Sequence, residues 1–502
     1  MNALKPSGRF FHIFVSLMTV SHLLLGGCFH RKDDHTLSQW TAPSSNQAWT
    51  PPAGTLTESG VPSKPIDIPE NLLSPEKNWR LKDIIEIALR NNPQTRATWH
   101  ASRAAFADWR SKKGDYYPKI NATVIGSHLE NITSKTARED RVDSYLPELE
   151  IGWLLFDFGG REASIEEKQQ ALLVADFTHN AAIEDAVFLV LQTYFQYTNA
   201  KALLHAAKVS FKEASTNLEM ARQRHENGLA TIADVLLVKT AHSQARLNLD
   251  IIEGSVQTIR GTLATAMGIP ANTPYDTEEL PLNPPVDRIM DEVETHIKQA
   301  KTHRPDLEAQ RRRVEQAMST IDVKHSALYP NLVLNNRLYG SLNSTTDTWD
   351  NQNSTALLLT IPLFNGHSRE YDILKAREDA EVQKARLETL EQTIVLQVWS
   401  SYFDLKTSMQ RVKTTNDLLE SALQSYEVAV GRYKEGVGGI LDLLSAQSSL
   451  ENARAQKSVA QATWYISFSR LARDTGSLWR QTEAKEKSVL DFIPSTTLKE
   501  LP

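Results

Sequence analysis

The spacing of apolar residues changes period along the chain, and each period predicts a different element. From Trp79 onward, Leu81, Ile84, Ile85, Ala88 and Leu89 fall on one face of a helix. From Tyr145 the period drops to two: Tyr145, Pro147, Leu149, Ile151, Trp153 and Leu155 alternate with Leu146, Glu148, Glu150, Gly152 and Leu154. Thr355, Leu357, Leu359, Ile361 and Leu363 repeat that pattern later in the chain. Partner strands begin at Pro118 and Pro330, where Ile120, Ala122 and Val124, then Leu332, Leu334 and Leu338, alternate with mostly polar residues. The polar stretches ENITSKTARED and NSTTDTWDNQNS between partners predict solvent loops. Four strands of about ten residues, each with one apolar face and a partly polar opposite face, fit a membrane barrel. A small soluble sheet on a helical body is the alternative.

The third pattern is length. Neither glycine nor proline occurs from Arg161 to Glu226, or from Arg369 to Val430. At 1.5 Å per residue, such helices reach roughly 90–100 Å. Leu419, Leu423, Tyr426, Val430 and Tyr433 step by 4, 3, 4 and 3, which predicts a coiled-coil seam. A structural rod satisfies the helices but not the strands.

The chain is also written twice. QRHENGLATIADVLLVKTAHSQAR at 223–246 matches GRYKEGVGGILDLLSAQSSLENAR at 431–454, with Arg224/Arg432, Gly228/Gly436, Asp234/Asp442 and Arg246/Arg454 each 208 residues apart. Phe156/Phe364, Tyr194/Tyr402, Phe195/Phe403 and Gly268/Gly476 keep that interval, whereas Pro93/Pro305 and Pro118/Pro330 are 212 apart. One register change of four residues between Pro118 and Phe156 reconciles the two. A repeat of this length is a duplicated domain, since solenoid units recur every 20–50 residues. Each half is expected to hold a helix, two strands and two helices meeting at a corner.

Composition bounds the rest. Lys5 and Arg9 precede a short apolar run from Phe10 to Leu25, followed by LGGC with Cys28, the only cysteine. A basic start, a short apolar centre and small residues before a cut predict a secretory signal. One cysteine excludes an internal disulfide and a thiolate metal cluster. Residues 29–78 hold seven prolines among Ser, Thr and Asn, the composition of an extended tether. The expected division is a signal peptide at 1–27, a lipidated Pro-rich tether at 28–78, a first repeat at 79–270, a linker at 271–287, a second repeat at 288–476 and a tail at 477–502. Loss of the signal leaves 53 cationic side chains against 61 acidic ones, a net charge of −8. An acidic protein is poorly suited to nucleic acid, whose phosphates need clustered cations. The chain carries no HExxH, P-loop or serine-elbow motif, and its fourteen histidines are scattered, so no enzyme, cofactor or metal site is expected.

LLFDFGGR at 154–161 and PLFNGHSR at 362–369, the duplicated halves and the two corner motifs together resemble the TolC-type outer-membrane channel family. LGGC is similar to the lipobox of its OprM-like lipoprotein branch, which implies lipid attachment at Cys28; an inert cysteine beside an ordinary cleavage site is the alternative. The resemblance implies a mainly α fold with a transmembrane β-barrel: a long coiled-coil α-barrel plus four β-strands per protomer, completed by a homotrimer as a twelve-stranded barrel in the outer membrane. Its implied function is the passive export duct of a tripartite efflux pump or type I secretion system. Its implied partners are a periplasmic adaptor (membrane fusion) protein and an inner-membrane pump. A periplasmic coiled-coil adaptor or structural protein without a barrel is the rival.

In such a channel the corners form the periplasmic tip. That makes Arg224, Gly228, Arg432 and Gly436 the expected adaptor contacts, and Asp234 and Asp442 the candidates for a pore gate. The residue types also have local uses. Glycine permits a left-handed backbone at a helix end, and arginine in a last turn and aspartate in a first turn complement the helix dipole. Dipole compensation alone is an open reading for both aspartates. His225, at the position of Tyr433 in the second copy, is a pH-sensing candidate or an ordinary solvated residue.

Overall fold

The computed structural model describes residues 78–133, 138–278, 292–343 and 348–478, together with Ile68 and residues 284–286. The expected signal peptide, Cys28, nearly all of the tether and the tail beyond Leu478 lie outside the described residues.

The two halves have one order of elements. The first runs α1 (Leu81–Asn91), α2 (Pro93–Lys113), β1 (Lys119–Thr133), β2 (Arg138–Phe156), α3 (Gly160–Glu226) and α4 (Ile232–Ala266). The second runs α5 (Val293–His303), α6 (Pro305–Ser326), β3 (Asn331–Asn343), β4 (Thr348–Thr360), α7 (Ser368–Lys434) and α8 (Ile440–Asp474). Each half therefore opens with two helices, not the one expected. The break is the proline: Asn92 and Arg304, which precede Pro93 and Pro305, are extended (ψ 121°), as the pyrrolidine ring of the next residue demands. Both prolines then occupy a first helical position, where a missing N–H costs nothing. Asn92 also caps α2, its Oδ1 accepting from the backbone of Gln94 (2.8 Å) and Thr95 (3.2 Å).

The strands form one antiparallel sheet in the order β1-β2-β3-β4, leaving β1 and β4 as edges. At 15, 19, 13 and 13 residues they are longer than the sequence period suggests. The four-residue register change lies in the hairpins. Between Pro118 and Phe156 the first hairpin exceeds its counterpart by four residues, a whole number of pleats that leaves inward and outward faces unchanged. Ile361 and Leu363, expected in the last strand, lie beyond it. Pro362 has no N–H to give a ladder, and β4 ends at Thr360.

The long helices α3 and α7 have 67 residues each, about 100 Å at 1.5 Å per residue. Each starts beside the sheet and ends at a duplicated corner, so sheet and corners sit at opposite ends of a rod. The main core lies between them. Tyr194, Phe195, Ile84, Leu263, Leu307 and Ile394 are fully buried there, and Phe195 stacks on Tyr465 at 4.9 Å between ring centres. The glycine pair at 268 and 476 belongs to this core. Both residues are left-handed (φ +73° and +69°), and a Cβ would stand 2.7 Å from the Asn91 carbonyl or 2.9 Å from that of His303. Asn91 and His303 end α1 and α5, so the same close approach occurs in both halves.

The expected seam on α7 is corrected at one position. Tyr433 is buried and Leu419, Tyr426 and Val430 are half-buried, but Leu423 is exposed and Ala422 takes its place. Val412, Thr415, Leu419, Ala422, Tyr426, Ala429 and Tyr433 step by 3 and 4 throughout. Alanine at the centre lets α8 approach closely through Leu450 and Ala453, whereas a pattern built on large apolar residues passes over it.

Candidate functional site

The corners are built from the end of one helix and the start of the next. In the first, the amide of Leu229 donates to the Arg224 carbonyl (2.7 Å) and that of Gly228 to the His225 carbonyl (2.9 Å). In the second, Val437 donates to Arg432 (3.0 Å) and Gly436 to Tyr433 (3.2 Å). Both are Schellman closures, which need a left-handed residue after the cap. Gly228 and Gly436 supply it, at φ +72° and +78°. Leu229 and Val437, the next residues of each copy, are exposed apolar side chains at the end of the rod.

The paired residues then diverge. Asp234 forms a capping box with Thr231: its carboxylate accepts from the Thr231 amide (2.8 Å) and hydroxyl (2.9 Å), and its own amide donates to the Thr231 hydroxyl (3.2 Å). Gly439 replaces Thr231 in the second corner, so no side chain caps α8. Asp442 is exposed, and its carboxylate has no hydrogen bond or ion pair among the described residues. One aspartate is tied to its helix start and the other is not. His225 is exposed and its Nδ1 lies 2.9 Å from the Ala230 carbonyl, across its own corner.

Arg224 does more than face a dipole. Its Nη1 donates to the last-turn carbonyls of the other long helix, at Tyr433 (2.8 Å) and Lys434 (3.3 Å), and its guanidinium lies 5.0 Å from the Tyr433 ring centre. It is the end rung of a ladder joining the two hairpins. Above it, Asn217 donates to Gln447 (2.8 Å) and Tyr426 (3.3 Å). Glu213 accepts two bonds from Arg454, and Asp185 pairs with Arg473 at 2.7 Å. Of these rungs the sequence pattern singles out only the arginines at 224 and 454. Asn217 is legible only as a polar residue in a stripe of small and apolar residues of α3, with Ser210, Ala214 and Ala221.

Near the sheet end of the ladder, Glu184 is buried beside Asp306 and Asp185. Burial first, then the neighbouring Asp306 carboxylate, pushes its pKa up from 4.5 to about 8, against the opposing pull of Arg304 and Arg473.

At the other end of the rod the sheet has two unlike faces. Cross-strand rows Ile120–Ile151–Asn336–Thr355, Ala122–Leu149–Leu338–Asn353 and Trp153–Leu334–Leu357 make one mostly apolar face, whose polar members Asn336, Asn353 and Thr355 bond to one another. Ile120, Val124, Leu338, Leu357 and Leu359 on it are exposed. The opposite face carries Asn121–Glu150–Arg337–Ser354 and Thr123–Glu148–Tyr339–Gln352. Arg337 pairs there with Glu150 (3.2 Å) and Glu148 (3.5 Å), and Tyr339 donates to Gln352. Aromatic residues mark both ends of the apolar band, with Tyr145 and Trp349 at one and Trp153 and Phe156 at the other. Eleven residue steps lead from Tyr145 to Phe156. At about 3.3 Å each and a tilt near 40° they span roughly 28 Å, close to the apolar band of an outer-membrane barrel. No helix among the described residues is long and apolar enough to cross a membrane.

Known proteins share this architecture. The family model for outer membrane efflux proteins matches residues 84–269 and 296–477, one segment in each half. Protein CyaE of Bordetella pertussis is 28% identical over 437 residues, 86% of this chain and 91% of that protein. The probable efflux pump outer membrane protein TtgC of Pseudomonas putida is 23% identical over 466 residues, 87% of this chain and 90% of its own length. The crystal structure of the CmeC outer membrane channel of Campylobacter jejuni superposes with a TM-score of 0.71 at 16% identity, covering 80% of this chain and 87% of that one.

Proposed function

The chain belongs to the outer membrane efflux protein family, non-enzymatic export channels of the outer membrane, and from that premise we propose that it works as a homotrimer whose twelve strands close one barrel above a continuous helical duct. The observation that carries this reading is the four-stranded sheet with two open edges, an exposed apolar face and a polar opposite face. In lipid every backbone group needs a partner, so an open edge must be completed. Four strands are too few to close, since small closed barrels need about eight. Three copies give twelve, with the Arg337–Glu150 face lining the lumen. A periplasmic adaptor has no use for an exposed apolar sheet with aromatic ends, which disfavours the rival reading.

The duct's far end serves as the docking tip for a periplasmic adaptor protein and, through it, an inner-membrane pump. The corners closed by Gly228 and Gly436, flanked by Arg224 and Arg432, present Leu229 and Val437 to that partner. Asp442, with no tie to its own helix, is the gate residue in this reading, and Asp234 is a helix cap. Cys28 is the lipid-attachment residue of an OprM-like lipoprotein, at the head of a tether ending near Asn78. The family match within 84–269 and 296–477 supports the division into repeats at 79–270 and 288–476. Efflux pump and type I secretion service share this duct.

The test is the mass and conductance of the detergent-purified protein. A trimer that forms ion-conducting pores in planar bilayers is expected. A monomer that leaves bilayers silent would reject the barrel.

A further inference from the structure

The two halves bury unequal amounts of the same surface. In the ladder between hairpins, Asn217 on α3 is 1% exposed and Gln447 on α8 is 4% exposed. Moved by the repeat interval of 208, these positions become Ser425 on α7 and Lys239 on α4, and both are exposed. Ser210 is buried at 6%, whereas its counterpart Leu418, larger and apolar, is 41% exposed. Helices α3 and α8 pack on one another at the centre of the four-helix layer, which leaves α4 and α7 as its two flanks. Each flank thus carries half of an interface that the chain completes only once.

The arginines show the same asymmetry. Arg224 holds the Tyr433 and Lys434 carbonyls, but the Arg432 guanidinium forms no hydrogen bond or ion pair among the described residues. The carbonyls related to its missing partners by the repeat belong to His225 and Glu226, at the end of α3. Arg432 does not take them within the chain, although Arg224 brings the ends of α3 and α7 together. In a second copy placed against the α7 flank they are the nearest last-turn carbonyls.

We propose that Arg432 of one protomer caps the end of α3 in the next, donating to the carbonyls of His225 and Glu226, while the Ser425 hydroxyl of the first accepts from the Lys239 ammonium of the second. The occupant of the α7 flank is a second copy of this chain, presenting its α4 flank. Charge supports the choice: the residue whose carbonyl Arg224 holds inside the chain is the cationic Lys434, whereas its repeat counterpart is Glu226, whose carboxylate adds attraction for Arg432. Side-chain length supports it too. Serine reaches one atom less far than asparagine and lysine one atom farther than glutamine, so Ser425 and Lys239 bridge the gap that Asn217 and Gln447 bridge. The rung at Glu213 has no equivalent, because Ser421 stands in its place and Arg246 turns to Asp250 in its own helix (2.9 Å). The flanks are unlike, so the contact is head-to-tail, the kind that makes a ring when its rotation closes after three copies. This inference rests on the trimer proposed above and adds to it which residues form the seam.

The experiment is disulfide trapping in the full chain in outer-membrane preparations. Ser425→Cys with Lys239→Cys is expected to give covalent dimers and trimers on non-reducing gels, reversed by reductant. Asn217→Cys with Gln447→Cys is expected to close within one chain, with no gain in mass. Wild type, which has Cys28 alone, controls for links through that residue. Arg432→Ala in the first background is expected to slow trapping about tenfold, the factor for losing one charged hydrogen bond, and Arg432→Lys by less. If the first pair stays monomeric while an amine-reactive cross-linker still yields trimers, the Arg432 seam is wrong and the trimer stands. If neither reagent links chains, the trimer itself fails.

Discussion

Arg454 and Glu213 meet through two parallel hydrogen bonds of 2.7 and 2.8 Å that engage both carboxylate oxygens, whereas Arg473 places two nitrogens on a single oxygen of Asp185. The Arg454 and Glu213 side chains are each about one-fifth exposed, so water screens the pair only partly. The carboxylate is the first cause that holds the Arg454 guanidinium more firmly charged, ahead of the opposing cost of burial. Arg454→Ala strands Glu213 at a helix interface and is expected to cost about 1–3 kcal/mol. Its repeat counterpart Arg246 forms its ion pair with Asp250 one turn away on an exposed face, with the Phe211 ring 5.7 Å from its guanidinium; the ion pair is worth about 0.2–0.5 kcal/mol. Thermal unfolding of the purified channel compares the two. Equal losses would mean that the inter-hairpin pair contributes no more than a surface pair.

Glu184 makes stability depend on pH. Its carboxyl ionises near 4.5 in the unfolded chain but is raised to about 8 in the fold. Between those values the folded state binds the extra proton, so stability falls as pH rises. The group's contribution is intact below about pH 4.5 and fully lost above about pH 8. At one pKa unit per 1.36 kcal/mol, the loss by pH 7 has an upper limit of about 3 kcal/mol. Glu184→Gln removes the titration while keeping the shape. Melting curves from pH 5 to 9 should show the variant gaining on wild type steadily towards alkaline pH; parallel curves would place the proton elsewhere.

Gly268 and Gly476 carry a double constraint, a left-handed backbone and a backbone neighbour within 3 Å of any Cβ. The conformational cost is about 1–2 kcal/mol and the displaced α1 or α5 adds a similar amount, so Gly268→Ala or Gly476→Ala is expected to cost roughly 2–4 kcal/mol. Gly431 lies inside α7 with nothing within 4 Å of its Cβ position. Gly431→Ala should instead stabilise, by up to about 1 kcal/mol. Urea titration of the three variants separates them, and a neutral Gly476→Ala would show that the α5 end yields freely.

Much of this layout is legible in the sequence because punctuation falls where the elements end. The run starting at Arg161 misses the start of α3 by one residue, and Gly228 closes that helix where the copy at Gly436 closes the other. Strand length and the break at Pro93 are less legible, since period two and period 3.6 say where a pattern exists but not where pairing stops. The ladder is almost hidden. Glu213, Asn217 and Gln447 are single polar residues on long helices, which sequence alone assigns to solvent, and only packing of α3 on α8 makes them partners. The same limit applies to Leu423: a large apolar residue at coiled-coil spacing outweighs a neighbouring alanine on paper, but close helix approach selects the alanine.

Lipidation at Cys28 is a prediction about processing. A single acyl signal adds modest membrane affinity, whereas an inserted barrel is held by its own apolar band. Cys28→Ser is therefore expected to impair maturation and sorting more than the conductance of channels that do insert. Intact mass of the mature chain checks the premise, and an unmodified N-terminal residue would remove it.

Asp442 and Asp234 offer the sharpest test of the tip. Both stand in the first turn of a returning helix, 208 residues apart. Asp234 is committed to Thr231 through three hydrogen bonds, so Asp234→Asn is expected to weaken the start of α4, by about 0.5–1 kcal/mol, and to leave conductance unchanged. Asp442 has Gly439 where the cap would be, and its charge is free to face the duct. In a trimer three such carboxylates converge on one axis, which raises local negative potential and attracts cations. Asp442→Asn should then weaken block by multivalent cations and reduce cation selectivity, with little change in melting temperature. Single-channel recordings of both variants beside wild type, with the blocker applied from the tip side, decide the matter. Unaltered block in the Asp442 variant would return that residue to a dipole-compensating role, and altered block in the Asp234 variant would move the gate to the other corner.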